Sequence, residues 1–263
     1  MKQPIIQVDA FTRVPFKGNP AAVCLTSGPA EESWMQNVAR EMNLSETAFL
    51  YRDGDIYQLR WFTPATEVQL CGHATLASAH VLFEDAHVPG SETIIFNCAS
   101  GELRVSRNGG RLEMDFPALP TKACETPLNL SRALGLKPIA VHKGKFDYLI
   151  EVASPDEVRA CVPDFGMLRT LGVRGVMITA REGKDYDFIS RFFAPGAGVD
   201  EDPVTGSAHC ALAPYWGEKL SKTELTAYQA SKRGGELWLS LRGDRVGIAG
   251  YAVTVMRAVL ESK

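Results

Sequence analysis

Phe62-Thr63-Pro64 followed by Cys71-Gly72-His73-Ala74, and Phe193-Ala194-Pro195 followed by Thr205-Gly206-Ser207-Ala208, decide how this 263-residue chain is read. In both places an aromatic, strand-like run ends at Phe-x-Pro and an acidic loop follows. A glycine then opens a helix of small residues. Phe193 follows Phe62 by 131 residues and Gly206 follows Gly72 by 134, each close to half the chain. A single shared Phe-x-Pro is chance, but the whole ordered series reads as two similar halves.

Strand-like runs surround these landmarks. In the first half they are Ile5–Val8, Ala21–Leu25, Ala48–Tyr51, Ile56–Phe62, Thr93–Phe96, Leu103–Ser106 and Arg111–Phe116. Alternation of period two is clearest in Ile56–Trp61 and Arg111–Phe116, and Asn108-Gly109-Gly110 marks a hairpin. The second half has strands near Phe146–Val152, Gly175–Thr179, Tyr186–Phe193, Glu236–Leu241 and Tyr251–Val259. Glu31–Met42 carries an apolar stripe of Trp34, Met35, Val38, Ala39 and Met42, which predicts an amphipathic helix. His73–Phe83 and Ser207–Trp216 are apolar or small nearly all round, which predicts buried helices. Strands adjoin strands more often than they alternate with helices, so the class is α+β rather than a doubly wound sheet. Pro117, Pro120 and Pro127 crowd a connector that suits neither strand nor helix. The boundary therefore falls there: residues 1–116, joined by a C-terminal strand at about 250–263, and residues 117–249.

Composition narrows the function. With 28 basic and 31 acidic residues the formal charge is −3, which gives no basic excess for nucleic acid or an anionic membrane. No apolar run approaches the roughly 20 residues of a membrane-spanning helix, and no signal-peptide pattern follows Met1. The six cysteines form no CxxC and read as reduced thiols of a cytoplasmic protein. No set of His, Cys and Asp shows metal-ligand spacing, and P-loop, GxSxG and GxGxxG motifs are missing, so neither metal nor nucleotide cofactor is expected.

The chemistry-bearing residues sit at the two glycines. A glycine at a helix mouth lets an anion approach the unpaired N–H groups of the first turn, where the macrodipole favours it. Gly72 and Gly206 at equivalent positions, with His73 and Ser207 directly after them, suit a carboxylate or oxyanion. His73 is a natural proton shuttle near neutral pH, whereas His80, His87, His142 and His209 read as structural. Glu46 lies at a helix-to-strand junction; by residue type alone, a capping or solvated glutamate is the simpler reading. Asp202, in the run Asp200-Glu201-Asp202-Pro203, reads equally as an acidic loop cap. Lys232 and Arg233 suit a substrate carboxylate or a solvated basic turn.

Several motifs in order resemble the PhzF (phenazine biosynthesis-like) family of the diaminopimelate epimerase-like superfamily. They are Val8-Asp9-Ala10-Phe11-Thr12, Gly18-Asn19-Pro20-Ala21-Ala22-Val23, Asn43-Leu44-Ser45-Glu46-Thr47, Phe62-Thr63-Pro64, Cys71-Gly72-His73-Ala74-Thr75 and Asp202-Pro203-Val204-Thr205-Gly206-Ser207-Ala208. The resemblance implies two α+β domains, each a curled, mostly antiparallel sheet around a central helix, with the active site between them. It implies cofactor-independent isomerase chemistry on a small carboxylated metabolite, and commonly a homodimer. Carried over by residue, Glu46 is similar to the family's acid/base, with His73, Asp202 and Ser207 as further catalytic positions. Gly72, Gly206, Thr205, Cys71, Arg233 and Gly234 are then the substrate-binding set. The superfamily's racemases place a thiol at each mouth; here Cys71 keeps the first, while Thr205, too weak an acid, stands at the second. A proton-shifting isomerase follows, with Glu46 as base, its pKa expected to rise on burial. An epimerase working through Cys71 and a non-catalytic binding protein are the alternatives.

Overall fold

A computed structural model describes residues 2–89 and 93–261. Its backbone divides into two compact units, Met1–Asp115 with Ala249–Lys263, and Phe116–Ile248. In chain order the elements are β1 (Lys2–Ala10), β2 (Asn19–Leu25), α1 (Glu32–Met42), β3 (Glu46–Asp53), β4 (Ile56–Phe62), β5 (Glu67–Val68), α2 (Gly72–Glu84), β6 (Ile94–Cys98), β7 (Gly101–Asn108) and β8 (Arg111–Pro117). They continue with β9 (Lys122–Ala123), α3 (Leu130–Leu134), β10 (Ala140–Lys143), β11 (Asp147–Glu151), α4 (Pro155–Ala160), α5 (Phe165–Arg169), β12 (Gly175–Arg181) and β13 (Phe188–Ala194). The last are β14 (Val199–Asp202), α6 (Gly206–Leu220), β15 (Glu224–Gln229), β16 (Gly235–Arg242), β17 (Arg245–Gly250) and β18 (Ala252–Glu261). β18 returns to the first unit and pairs antiparallel with β1.

The internal repeat extends from the two short motifs to the whole topology. In the first unit β1/β2 is antiparallel, β2/β3 parallel, β3/β4 and β4/β5 antiparallel, β4/β6 parallel and β6/β7 antiparallel. The second unit has the same series in β10/β11, β11/β12, β12/β13, β13/β14, β13/β15 and β15/β16. Helices occupy matching crossovers: α1 joins the parallel pair β2 and β3, and α4 with α5 joins β11 and β12. α2 and α6 precede the strands β6 and β15 that pair in parallel with β4 and β13. A parallel pairing needs such a crossover, so the helices sit where the strand senses require them.

Each unit keeps its small-residue helix inside. α2 buries ten residues from His73 to Phe83 and packs on β1, β2, β3 and β18, consistent with a sequence that is apolar nearly all round. Leu76, Val81, Leu82 and Phe83 each contribute about 1.5–3 kcal/mol by leaving water. α6 is buried in the same manner and packs on β15 and β16. The Asn108–Arg111 hairpin closes through Gly109 and Gly110 at φ +57° and +84°, the double positive φ of a type I′ turn.

The proline-rich connector is less featureless than its composition predicts, because Lys122–Ala123 pairs with β10. β15 escapes a sequence-based reading for a physical reason. Its inward positions are Leu225, Ala227 and Gln229, so a small and a polar residue conceal the period of two.

Candidate active site

The chain reaches Glu46 through a tight helix stop. α1 ends at Asn43 in the left-handed region (φ 51°, ψ 35°), whose N–H donates to the Ala39 carbonyl at 3.1 Å. β3 then starts at Glu46, paired in parallel with Ala21 of β2. Cys71, extended at φ −144°, is the N-cap of α2, and His73 is that helix's second residue. Glu46 and His73 meet there: Nε2 of His73 lies 3.1 Å from Oε2 of Glu46. Among the described residues the buried Oε2 has no aligned hydrogen bond, so this is an ion pair whose carboxylate keeps the capacity to take a proton. The other ring nitrogen, Nδ1, lies 3.2 Å from the Asn19 amide and 3.5 Å from the Cys71 thiol. An amide can turn either its oxygen or its nitrogen to a ring, so Asn19 suits both protonation states of His73.

Electrostatics set the resting state. Burial pushes the Glu46 carboxyl upward, but the His73 charge beside it outweighs burial, and the pKa ends lowered from its ordinary 4.5. The sequence-based expectation of a raised Glu46 is therefore corrected: it accounts for burial and omits the imidazolium alongside. Burial pushes His73 down, yet the Cys71 sulfur and the Glu46 carboxylate beside its ring raise it well above its ordinary 6.5. Burial, and then the Glu46 charge, lifts the Cys71 thiol to about 11. At neutral pH the group is a carboxylate, an imidazolium and a neutral thiol.

Asn19 is held by a built loop rather than by its own strand alone. Phe16 N–H donates to the buried Asp9 carboxylate at 2.7 Å. Gly18 takes φ +64° where a Cβ would lie 2.1 Å from the Ala10 carbonyl oxygen, so only glycine fits. The Asp9…Gly18-Asn19 motif thus works as a clasp that delivers one amide to His73.

The second unit repeats the mouth with different chemistry. Thr205, extended at φ −114°, is the N-cap of α6, followed by Gly206 and Ser207. Threonine is a favoured capping residue, yet here its hydroxyl donates to Asp202 Oδ2 at 2.6 Å and makes no cap. Gln229, fully buried, accepts from Thr205 N–H at 2.8 Å and donates to the Asp202 carbonyl at 2.8 Å and to Thr205 Oγ1 at 3.2 Å. The loop bearing Arg233 and Gly234 is tied to the same place, because Ser231 Oγ donates to the Pro203 carbonyl and accepts from Gly234 N–H. At Gly234, φ is +70° and a Cβ would lie 2.0 Å from the Tyr228 hydroxyl. Gly234→Ala is expected to cost about 1–3 kcal/mol, measurable as a shift in the urea unfolding midpoint.

The structure thus gathers Glu46, Cys71, Gly72 and His73 at one mouth, and Asp202, Thr205, Gly206, Ser207 and the Arg233-Gly234 loop at the other. Asn19 and Gln229 are the residues that sequence reasoning leaves without a role. Asn19 lies inside a quoted motif; Gln229 carries no local signal. Glu46, Cys71 and His73 also place one donor atom each within 4.8 Å of one another, a proximity that spacing along the chain does not reveal. The protonated thiol and the doubly engaged imidazole fit a proton relay better than a set of ligand lone pairs.

The family profile described as phenazine biosynthesis-like protein (PhzC-PhzF) matches residues 8–258. The chain belongs to the PhzF family. A relative from Halalkalibacterium halodurans, named an uncharacterized isomerase, is 53% identical over 262 residues, covering 99% of both chains. The crystal structure of a PhzF-family protein from Enterococcus faecalis superposes with a TM-score of 0.96 at 41% identity, covering 100% of both chains. A hydroxyproline epimerase from Agrobacterium vitis shares the fold alone, at a TM-score of 0.66 and 11% identity over 98% of this chain and 92% of that one. This PhzF protein is an isomerase of the diaminopimelate epimerase-like fold. Among the described residues no helix is long and apolar enough to cross a membrane.

Proposed function

We propose that the protein shifts a proton between two carbons of a small carboxylated metabolite without metal or nucleotide, with Glu46 as the base and then the acid. The observation that carries this is the ion pair of Glu46 and His73 at the mouth of α2. A carboxylate and an imidazolium 3.1 Å apart are a base and an acid held ready at neutral pH. Glu46 takes the proton next to a carbonyl or unsaturated system, and His73, hydrogen-bonded to Asn19, stabilises the charge that develops. Glu46 then returns the proton to a second carbon. Gly72 opens the mouth so that first-turn N–H groups meet the substrate carboxylate. At α6, Thr205 gives its hydroxyl to Asp202 instead of capping the helix. We assign Asp202, Thr205, Gly206 and Ser207, with Arg233 and Gly234, to holding an anionic group there. Action in the cytoplasm and as a homodimer belongs to the same proposal.

The test is a pool of small carboxylated metabolites incubated with the protein in D₂O and followed by NMR and mass spectrometry. One compound is expected to gain deuterium at carbon and shift its double bond. A ligand that binds while no carbon-bound proton exchanges would favour a binding protein instead. Cys71 supports a second reading, epimerisation through a thiolate, since it stands where the fold's racemases carry a thiol. With the thiol held at about 11, Cys71→Ser is expected to leave turnover within about threefold of the parent. A loss near that of a Glu46 variant, measured on the same compound, would favour the thiol route.

A further inference from the structure

The two helix mouths share a feature that neither glycine explains. In α2 the Cys71 carbonyl accepts the Thr75 N–H at 3.2 Å and the Thr75 hydroxyl at 2.6 Å. In α6 the Thr205 carbonyl accepts the His209 N–H at 3.4 Å and the His209 ring at Nδ1, 2.8 Å away. An N-cap carbonyl ordinarily accepts one helical bond, from the residue four positions on. Here that same residue supplies a second, side-chain bond in both helices, and it is the shorter of the two each time. Thr75 and His209 differ in chemistry, yet both are fully buried and occupy the same step of the repeat.

Helix stability does not account for the pair. A threonine bonded back to the carbonyl four residues earlier slightly weakens and bends a helix, and neither threonine nor histidine is a strong helix former. Burial drives the His209 pKa down to about 4, so its ring stays neutral, with Nδ1–H given to the carbonyl. Among the described residues its buried Nε2 has no partner, an expense that a simple core residue avoids. A peptide is planar, and its carbonyl and the next residue's N–H point in opposite directions. Fixing the Cys71 carbonyl toward the helix body therefore turns the Gly72 N–H out of the mouth. The Thr205 carbonyl does the same for Gly206.

We propose that Thr75 and His209 are positioning residues, which aim the Gly72 and Gly206 N–H groups at the carboxylate or oxyanion of the substrate. The proposal rests on the mouths being anion sites, as the proposed function has them. His209 then belongs to the site machinery rather than to the structural histidines. α2 contains its own control, because Ser78 makes the same back-bond to Ala74 one turn deeper, at 2.8 Å, and aims no mouth peptide.

Acetate serves as the probe, followed at the Gly72 and Gly206 amides by ¹⁵N NMR of the full chain. In the parent both amides are expected to shift saturably. Thr75→Val is expected to weaken acetate about 3- to 10-fold at Gly72 and leave Gly206 unchanged, and His209→Leu the converse. Thr75→Ser and His209→Asn, which keep a donor at the same reach, should restore the parent response, and Ser78→Ala should match the parent. Thr75→Ala and His209→Ala replace the first variants if either fails to fold. If the parent amides respond and the donor-less variants respond equally, positioning is overturned while the anion sites stand. If neither parent amide responds, the anion sites fail and positioning falls with them.

Discussion

Glu46→Gln is expected to lower kcat by about 10²–10⁴ while the protein stays folded, because general acid–base groups contribute on that scale. The change keeps the shape of the side chain and removes the Glu46 carboxylate from the α2 mouth. His73 then has no anion at 3.1 Å to hold its proton, and at 5% exposure it sheds that proton rather than remain a stranded buried charge. Stability should therefore fall by less than the about 3–5 kcal/mol of a broken buried ion pair. A cooperative thermal melt alongside the kinetic loss separates chemistry from unfolding. Turnover near the parent value would remove Glu46 from the mechanism.

The second large effect is on the pH profile. With Glu46 below 4.5 and His73 well above 6.5, kcat/KM of the parent should be flat between those values. It should fall on the acid side as Glu46 takes a proton, and on the alkaline side as His73 loses one. In His73→Asn the lowering influence on Glu46 is gone and burial, which raises it, remains. The acid limb is then expected to move to higher pH than in the parent and the alkaline limb to disappear, as read from kcat/KM against pH. Stability follows the same signs. The depressed Glu46 contributes above about 4.3, lost as pH falls through its folded value, and the raised His73 contributes below about 6.5, lost as pH rises through its folded value. An unchanged acid limb in His73→Asn would show that His73 does not set the Glu46 proton affinity.

Much of the fold is legible in the chain because its signals are local. Alternation marks Ile56–Phe62 to the residue, and Asn108-Gly109-Gly110 names its own turn. The all-round apolar helices announce themselves as central. Among the strands that escape are β15, whose inward face carries Ala227 and Gln229, and β5 and β9, which are only two residues long. The site divides along the same line. Cys71, Gly72 and His73 are neighbours in sequence, and so are Asp202, Thr205, Gly206 and Ser207, so each mouth is visible as a motif. What joins Glu46 to His73, Asn19 to His73 and Gln229 to Thr205 is strand pairing and crossover, which no spacing encodes. The Glu46 proton affinity is the clearest case: burial alone gives the wrong direction, and the neighbour that reverses it lies 27 residues away in the chain.

The resting charge of that pair is the centre of the account, and ¹⁵N NMR of the histidine rings at pH 7 reads it directly. His73 is expected to show both ring nitrogens protonated, an imidazolium beside the Glu46 carboxylate, and to lose this signature in Glu46→Gln. A neutral His73 ring at pH 7, with one nitrogen bearing a lone pair, would contradict it.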